Sequence, residues 1–193
     1  MSFAFGFLRS RLFNRRFNHQ ASTVLRLCVT FSTASPSLSE EPSTTDTGGS
    51  IPATIREGRV EIFTDEFNSV FYNKAQALAA SGLRAIRYAL EVDGIGEVVA
   101  IDNSEVAIEA CKKNIYHNSS LVSSKVVPHL ADARVYMLNH PKEFDVVDLD
   151  PYGSPAAFLD SAVQCVADGG ILMCSATDMA VLAGGNAEVC FSK

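Results

Sequence analysis

Residues 144–155, FDVVDLDPYGSP, contain the pattern that decides the fold of this chain. The stretch begins with apolar and β-branched residues, which is typical of a strand buried on both faces in a parallel sheet. It is then interrupted by Asp150-Pro151-Tyr152-Gly153, so the strand carries a carboxylate, an aromatic ring and a glycine to its C-terminal end. Ligands of open α/β sheets bind at that edge. The alternative interpretation is an ordinary β-turn with Asp first, Pro second and Gly fourth.

The segments around this stretch alternate between strand and helix patterns. Strands are predicted at residues 97–102, 125–132 and 170–175, and helices at residues 104–117, 133–140 and 156–167. This alternation predicts an α/β fold with a doubly wound, Rossmann-like parallel sheet. Pro128 favours an edge position for the strand that contains it, because proline lacks a backbone N–H.

Residues 75–92, AQALAASGLRAIRYALEV, allow two interpretations. The spacing of Leu78, Ile86 and Leu90 favours one helix with a weak point at Gly82. Alternatively, residues 79–82 form a tight loop that opens a helix at Leu83, where backbone N–H groups can approach a ligand.

Three successive predicted strands end in an aspartate, namely Asp102, Asp132 and Asp150. A parallel sheet places all three at one edge, although each acid alone could be a helix N-cap. In dinucleotide sites, an acid at the place of Asp102, after the second strand of such a sheet, accepts both hydroxyls of a ribose. An acid at the place of Asp132, after the next strand, can accept from the amino group of an adenine, which leaves Asp150 for the reacting group. A carboxylate followed by proline and an aromatic ring suits chemistry on an exocyclic amine.

The composition restricts the class of protein. Residues 1–39 contain five arginines and no Lys, Asp or Glu, which leaves eleven basic against 22 acidic residues in the rest of the chain. Such an acidic body matches a polyanion poorly, so any grip on nucleic acid must be local. The five cysteines include no C-x-x-C pair, so we expect reduced thiols and no metal site. No apolar run reaches the length of a membrane span, so we expect no association with membrane.

The arginine-rich, acid-free beginning has the composition of an organelle transit peptide, predicted over residues 1–35. A basic arm without fixed structure is the alternative. Residues 36–50 form a predicted polar linker, and residues 51–193 form the predicted domain. The leader favours a mitochondrial location, with the nucleus or plastid as alternatives.

Several motifs together resemble one family, the tRNA (guanine-26-N2)-dimethyltransferases. The resemblance rests on ALAASGLRAIRYALEV, VVAID, ADA, DVVDLDPYGSPAAFLDSAVQCVADGG and ATDMAVLAGGN, and it extends from about residue 57 to the last residue. It implies the fold of a class I methyltransferase and S-adenosylmethionine as methyl donor. It also implies guanine 26 of tRNA as the acceptor, methylated on its N2 amine.

The resemblance also implies roles for individual residues. Those resembling the family's donor-binding residues are Arg84, Asp102, Asp132 and Ala133, with Ser81 and Gly82 in the loop before Arg84. Asp102 would hold the ribose, Asp132 and the Ala133 N–H would read the adenine, and Arg84 would pair with a carboxylate of the donor. Those resembling the catalytic motif are Asp150, Pro151 and Tyr152.

The chain departs from the family at one internal position. Relatives have a long segment between their V-F-Y-N and A-A-S-G-L-R motifs, which carries an Asn-Arg-Asp motif and the first strand of the sheet. Here the sequence from Val70 to Asn73 is followed almost at once by the loop. This predicts an incomplete sheet and a partial catalytic domain without the family's tRNA-binding domain. An inactive splice or fragment form is therefore an alternative hypothesis, and a Rossmann oxidoreductase is a remote one, since ASGLR contains a single glycine.

Overall fold

A computed structural model describes residues 25–32, 54–63, 81–185 and 187–191 of the chain. The strands within these residues are β1 (Leu25–Ser32), β2 (Thr54–Glu57), β3 (Val60–Phe63), β4 (Ile95–Asp102), β5 (Val126–Leu130), β6 (Phe144–Pro151) and β7 (Val166–Cys174). The helices are α1 (Leu83–Glu91), α2 (Glu105–Asn118), α3 (Ser120–Lys125), α4 (Ala133–Leu138), α5 (Ala156–Cys165), α6 (Met179–Leu182) and α7 (Ala187–Phe191). None of these helices is long and apolar enough to cross a membrane.

Five strands form one parallel sheet in the order β5-β4-β1-β6-β7. The other two, β2 and β3, form an antiparallel hairpin. Helices connect the successive strands of the sheet from β4 onward, which confirms the predicted alternation. β5 lies at an edge, as Pro128 predicted.

The centre of the sheet is formed by a segment that the sequence patterns placed outside the fold. β1 lies between β4 and β6, and its Cys28 is in register with Val99 on one side and Val147 on the other. The prediction of a transit peptide over residues 1–35 is therefore wrong for residues 25–32, and so is the prediction of a sheet without its central strand. The many arginines of this region indicated a basic leader. The segment LRLCVTFS, which includes Arg26, is nevertheless mostly apolar and suits a strand buried on both faces. Residues 1–24 and the predicted linker at 36–50 lie outside the described residues.

β1 contributes to two separate cores on opposite faces of the sheet. Leu27 and Val29 belong to a core shared with α1, α2 and α3, whereas Cys28 belongs to a second core shared with α4 and α5. All three side chains are fully buried. Successive side chains of a strand point to opposite faces, so one central strand serves both cores at once. Helices on both faces make the sheet doubly wound, as predicted.

The hairpin is attached to the sheet through two asparagines of α2. The side-chain oxygen of Asn114 accepts a hydrogen bond from the Phe63 N–H at 2.9 Å. One turn later, Asn118 accepts from the Glu61 N–H at 2.9 Å and donates to the Glu61 carbonyl at 2.7 Å. These side-chain amides satisfy backbone groups of β3 that a neighbouring strand would otherwise satisfy.

The central position of β1 makes a prediction for the variant Leu27→Ala. We expect it to lower the free energy of unfolding by about 2–5 kcal/mol, because it leaves a cavity in a buried core. Urea denaturation followed by circular dichroism measures this change. The control is Leu121→Ala, whose side chain is 48% exposed on α3 and should change the free energy far less. A loss below about 1 kcal/mol for Leu27→Ala would show that Leu25–Ser32 is not a central strand in solution.

Candidate active site

The carboxyl ends of the parallel strands bring the predicted acids to one edge of the sheet. Asp102 is the last residue of β4 and is in register with Leu130, the last residue of β5. Asp132 follows two residues later as the N-cap of α4. Asp150 is in register with Phe31 near the end of β1. The arrangement expected from the sequence, three acids along one edge, is present.

The Asp-Pro-Tyr-Gly segment is not a simple β-turn. Asp150 and Pro151 still belong to β6, and the chain bends only at Tyr152 and Gly153. The bend is fixed by Thr177, whose hydroxyl accepts from the Gly153 N–H at 3.0 Å and whose N–H donates to the Gly153 carbonyl at 2.8 Å. The motif therefore extends the strand to the edge before the chain turns.

Arg84 lies between two acids of β6. Its Nη1 donates to both carboxylate oxygens of Asp148, at 3.0 and 3.1 Å. Its Nε lies 3.3 Å from Oδ2 of Asp150, and its Nη2 donates to the Ser175 hydroxyl at 3.0 Å. Its partners in the described structure are thus protein groups, and a carboxylate of the donor as a further partner of Arg84 stays a prediction.

Asp148 is a buried acid in the middle of β6, with 2% of its surface exposed. The Tyr88 hydroxyl donates to its Oδ2 at 2.8 Å, in addition to the contacts from Arg84. Burial raises the pKa of Asp148 above its usual range, and the positive charge of Arg84 opposes this shift. Burial and the negative charge of Asp148 likewise raise the pKa of Tyr88, so its hydroxyl remains a donor at neutral pH.

Tyr152 lies near both Asp102, at the end of β4, and Asp150, near the end of β6. Burial, followed by the negative charges of Asp102 and Asp150, raises the pKa of Tyr152 to about 12. Its ring is partly exposed, whereas Asp102 is fully buried and accepts from the Ser104 N–H at 2.7 Å. The edge thus combines a neutral phenol with two acids, which is a suitable environment for the amine groups of a base.

The loop before α1 follows the second of the two sequence interpretations. Gly82 has a left-handed backbone with φ of 77°, and the helix begins at Leu83. The Ser81 carbonyl accepts from the side-chain amide of Asn114 at 3.2 Å, and Ser81 is fully buried. A Cβ at Gly82 would collide with Sγ of Cys111, so α2 supports this loop closely. Residues 64–80, with the rest of the predicted loop, lie outside the described residues.

Asp132 has the local role that any of the three acids could have had. Its carboxylate accepts from the Arg134 N–H at 2.8 Å, which caps α4. The Arg134 guanidinium also contacts it at 2.6 Å, and this hydrogen bond lowers the pKa of Asp132. Both groups are substantially exposed, so the pair is open to exchange with a ligand. Ala133, in contrast, is buried at the first position of α4.

The residues at this edge fit S-adenosylmethionine in the kinds of group that they offer. Carboxylates follow two adjacent strands, as a ribose and an amino group require. The turn at Gly82 leads into the N-terminal end of α1, where the first backbone N–H groups have no acceptor within the helix. Among the described residues, no group of three or more His, Cys, Asp or Glu side chains could hold a metal ion.

Sequence analysis missed three polar residues of this edge, namely Tyr88, Asp148 and Ser175. A signal was present for two of them. Asp148 and Asp150 are two apart on a strand, hence on the same face, and Arg84 and Tyr88 are four apart on a helix, hence also on one face. Nothing in the local sequence indicated that Ser175 would face the same guanidinium.

Comparison with known proteins identifies a family. Residues 15–193 match the family model described as N2,N2-dimethylguanosine tRNA methyltransferase. The tRNA (guanine(26)-N(2))-dimethyltransferase 2 of Arabidopsis thaliana is 69% identical over 118 residues, which are 61% of this chain and 20% of that protein. The mitochondrial tRNA (guanine(26)-N(2))-dimethyltransferase of Saccharomyces cerevisiae is 43% identical over 129 residues, which are 65% of this chain and 22% of that protein. The chain spans about a fifth of the length of these relatives.

A solved structure establishes the fold. Trm1 from Pyrococcus horikoshii, determined with S-adenosyl-L-methionine, matches with a TM-score of 0.64 and 31% sequence identity. The match covers 73% of this chain and 47% of that one. The predicted class I methyltransferase fold is therefore confirmed.

The close support of the Gly82 loop makes a prediction for Gly82→Ala. We expect this variant to lose about 2–4 kcal/mol of stability, from the left-handed backbone and from the collision with Cys111. Gly184→Ala is the matched control, because Gly184 also has a positive φ, 62°, but no atom lies within 4 Å of an added Cβ. Chemical denaturation of both variants measures the difference. Equal losses would contradict the described packing of the loop on α2.

Proposed function

We propose that this chain, which belongs to the family of N2,N2-dimethylguanosine tRNA methyltransferases, methylates the N2 amine of guanine 26 in tRNA with S-adenosylmethionine as donor. One observation carries the proposal: Asp150 and Pro151 end the strand that faces Arg84, and Tyr152 follows them at the edge that also holds Asp102. The matched relatives are named for this activity, and the match covers about a fifth of their length.

The donor would lie across the ends of β4 and β5. Asp102 would accept from the ribose hydroxyls, and Asp132 would accept from the adenine amine after exchanging its contact with Arg134. The backbone N–H of Ala133 would donate to the adenine ring, and the turn at Ser81 and Gly82 would admit the rest of the donor. When bound, S-adenosylmethionine supplies a methyl group activated by its positively charged sulfur.

The acceptor guanine would be flipped out of its stack and bound against the Tyr152 ring. Asp150 would accept a hydrogen bond from the N2 amine, align its lone pair for in-line attack and take up the proton that the amine loses. Pro151 restricts the backbone between these two residues and so fixes their relative position. A second methylation requires the methylated amine to rotate and bind again.

The alternative, an inactive splice or fragment form, was suggested mainly by the absence of a first strand. β1 takes that place in the sheet, which removes the main physical argument for inactivity. Binding of tRNA by the acidic body still requires a local contact surface.

We propose a mitochondrial location, with the nucleus or plastid as alternatives. The support is the arginine-rich composition of the first residues and the name of the yeast relative. Because β1 begins at Leu25, a cleaved leader would have to end before that residue for the sheet to keep its central strand.

Donor binding is testable by calorimetric titration of S-adenosylmethionine into the full chain. We expect saturable binding that is about 10- to 100-fold weaker in Asp102→Asn, because a hydrogen bond to a charged group contributes about 1.5–3 kcal/mol. Glu109→Gln is the control, since it removes one carboxylate from an exposed ion pair on α2. Absence of binding to the unmodified chain would refute the proposed donor site.

Methyl transfer is testable with donor labelled in its methyl group and two tRNA transcripts, one with guanine and one with adenine at position 26. We expect transfer only to the guanine transcript, and a rate about 10²- to 10⁴-fold lower in Asp150→Asn because the proton acceptor is lost. If Asp150→Asn keeps the rate of the unmodified chain, Asp150 is not the acceptor. If the unmodified chain binds donor but transfers nothing, the inactive form is the better description.

A further inference from the structure

Asp148 is costly to bury, and the methyl transfer proposed above does not use it. It lies between Val147 and Leu149 in β6, and the apolar residues of this strand fill the two cores. A buried carboxylate without partners is strongly destabilising, and even a paired one is often no better than an apolar residue of similar size. Packing alone therefore does not explain an acid at this position.

The geometry shows what Asp148 holds. On β6, Asp148 and Asp150 are two residues apart and project from the same face. On α1, Arg84 and Tyr88 are four residues apart and face that strand. Asp148 accepts from both helix residues, so it is the point at which the helix is fastened to the acidic face of β6.

The contacts of Asp148 leave Arg84 little freedom to rotate. Both oxygens of Asp148 accept from Nη1, and Ser175 accepts from Nη2 on the other branch of the guanidinium. With a planar group held at both branches, Nε lies 3.3 Å from Oδ2 of Asp150, within the distance of an ion pair. The side chains of Arg84 and Asp150 are each only 14% exposed, so water screens this contact weakly.

We infer that Asp148 is a positioning residue, which with Tyr88 holds Arg84 in the orientation that fixes the carboxylate of Asp150. The Arg84 guanidinium forms an ion pair with Oδ2 of Asp150, which leaves Oδ1 as the oxygen for the proposed hydrogen bond to the guanine amine. The effect on methyl transfer rests on the function proposed above, whereas the fixation of Arg84 does not. Asp148 contacts neither donor nor acceptor in this arrangement, so its loss should lower the rate even when the donor is saturating.

Nuclear magnetic resonance tests the fixation directly. In the full chain, the Nη1 and Nη2 groups of Arg84 should give separate proton–nitrogen signals with slow hydrogen exchange, because they donate to Asp148 and Ser175; the signals are assigned by their disappearance in Arg84→Lys. In Asp148→Asn these signals should shift and exchange faster, and in Tyr88→Phe they should change less, because Asp148 keeps its ion pair. An unchanged Arg84 signal in Asp148→Asn would overturn the inference.

Kinetics test the consequence for the reaction. We expect Asp148→Asn to lower the single-turnover rate of methyl transfer at saturating S-adenosylmethionine by about 10- to 100-fold. Asp145→Asn is the matched control, because Asp145 lies on the same strand and accepts from the Arg26 N–H, far from Asp150 in the strand. Equal rate losses in the two variants would show a general effect of instability and contradict a positioning role.

The two proposals fail in different ways. If the unmodified chain transfers no methyl group, the proposed function is wrong for this chain, and the Arg84 signal still decides whether Asp148 fixes the guanidinium. If the chain is active and Asp148→Asn keeps the normal rate, the positioning role is wrong and the proposed function stands.

Discussion

The structure depends on one constraint, which is that the central strand of a parallel sheet must be paired on both sides and covered on both faces. β1 meets all four requirements, with β4 and β6 as neighbours and a core on either face. Unpaired backbone at this position would cost more than the few kcal/mol by which a typical domain is stable. The two strands that carry Asp102 and Asp150, β4 and β6, both pair directly with this strand.

The position of the central strand in the sequence affects what supports the loop at Gly82. In the chain, β1 and this loop are separated by the hairpin of β2 and β3, so the strand does not lead directly into the loop. The loop instead depends on α2. Cys111 packs directly against Gly82, and the side-chain amide of Asn114 donates to the Ser81 carbonyl. Since Asn114 also binds the end of β3, one side chain connects the hairpin to the loop.

Charged and apolar side chains occupy different parts of the sheet. Apolar side chains of β4 and β6 fill the cores, while the acids gather at the carboxyl ends, where Arg84 neutralises part of their charge. The exception is Asp148, which carries charge into the buried part of β6 and connects it to α1. The ion pairs of Arg84 with Asp148 and Asp150 thus position the catalytic motif, which the spacing of its residues in the sequence does not reveal.

The sequence by itself determined the parallel α/β class, the alternation of strands and helices from β4 to β7, the edge position of β5 and the position of three acids at one edge. These follow from local periodicity and from the rule that parallel strands end together, which need no knowledge of distant contacts. Tertiary structure alone decided that Leu25–Ser32 is the central strand and that Arg84 faces Asp148 and Asp150. The physical reason is that strand pairing and buried ion pairs join residues dozens of positions apart, and a composition rich in arginine says nothing about which partners a short apolar run will find.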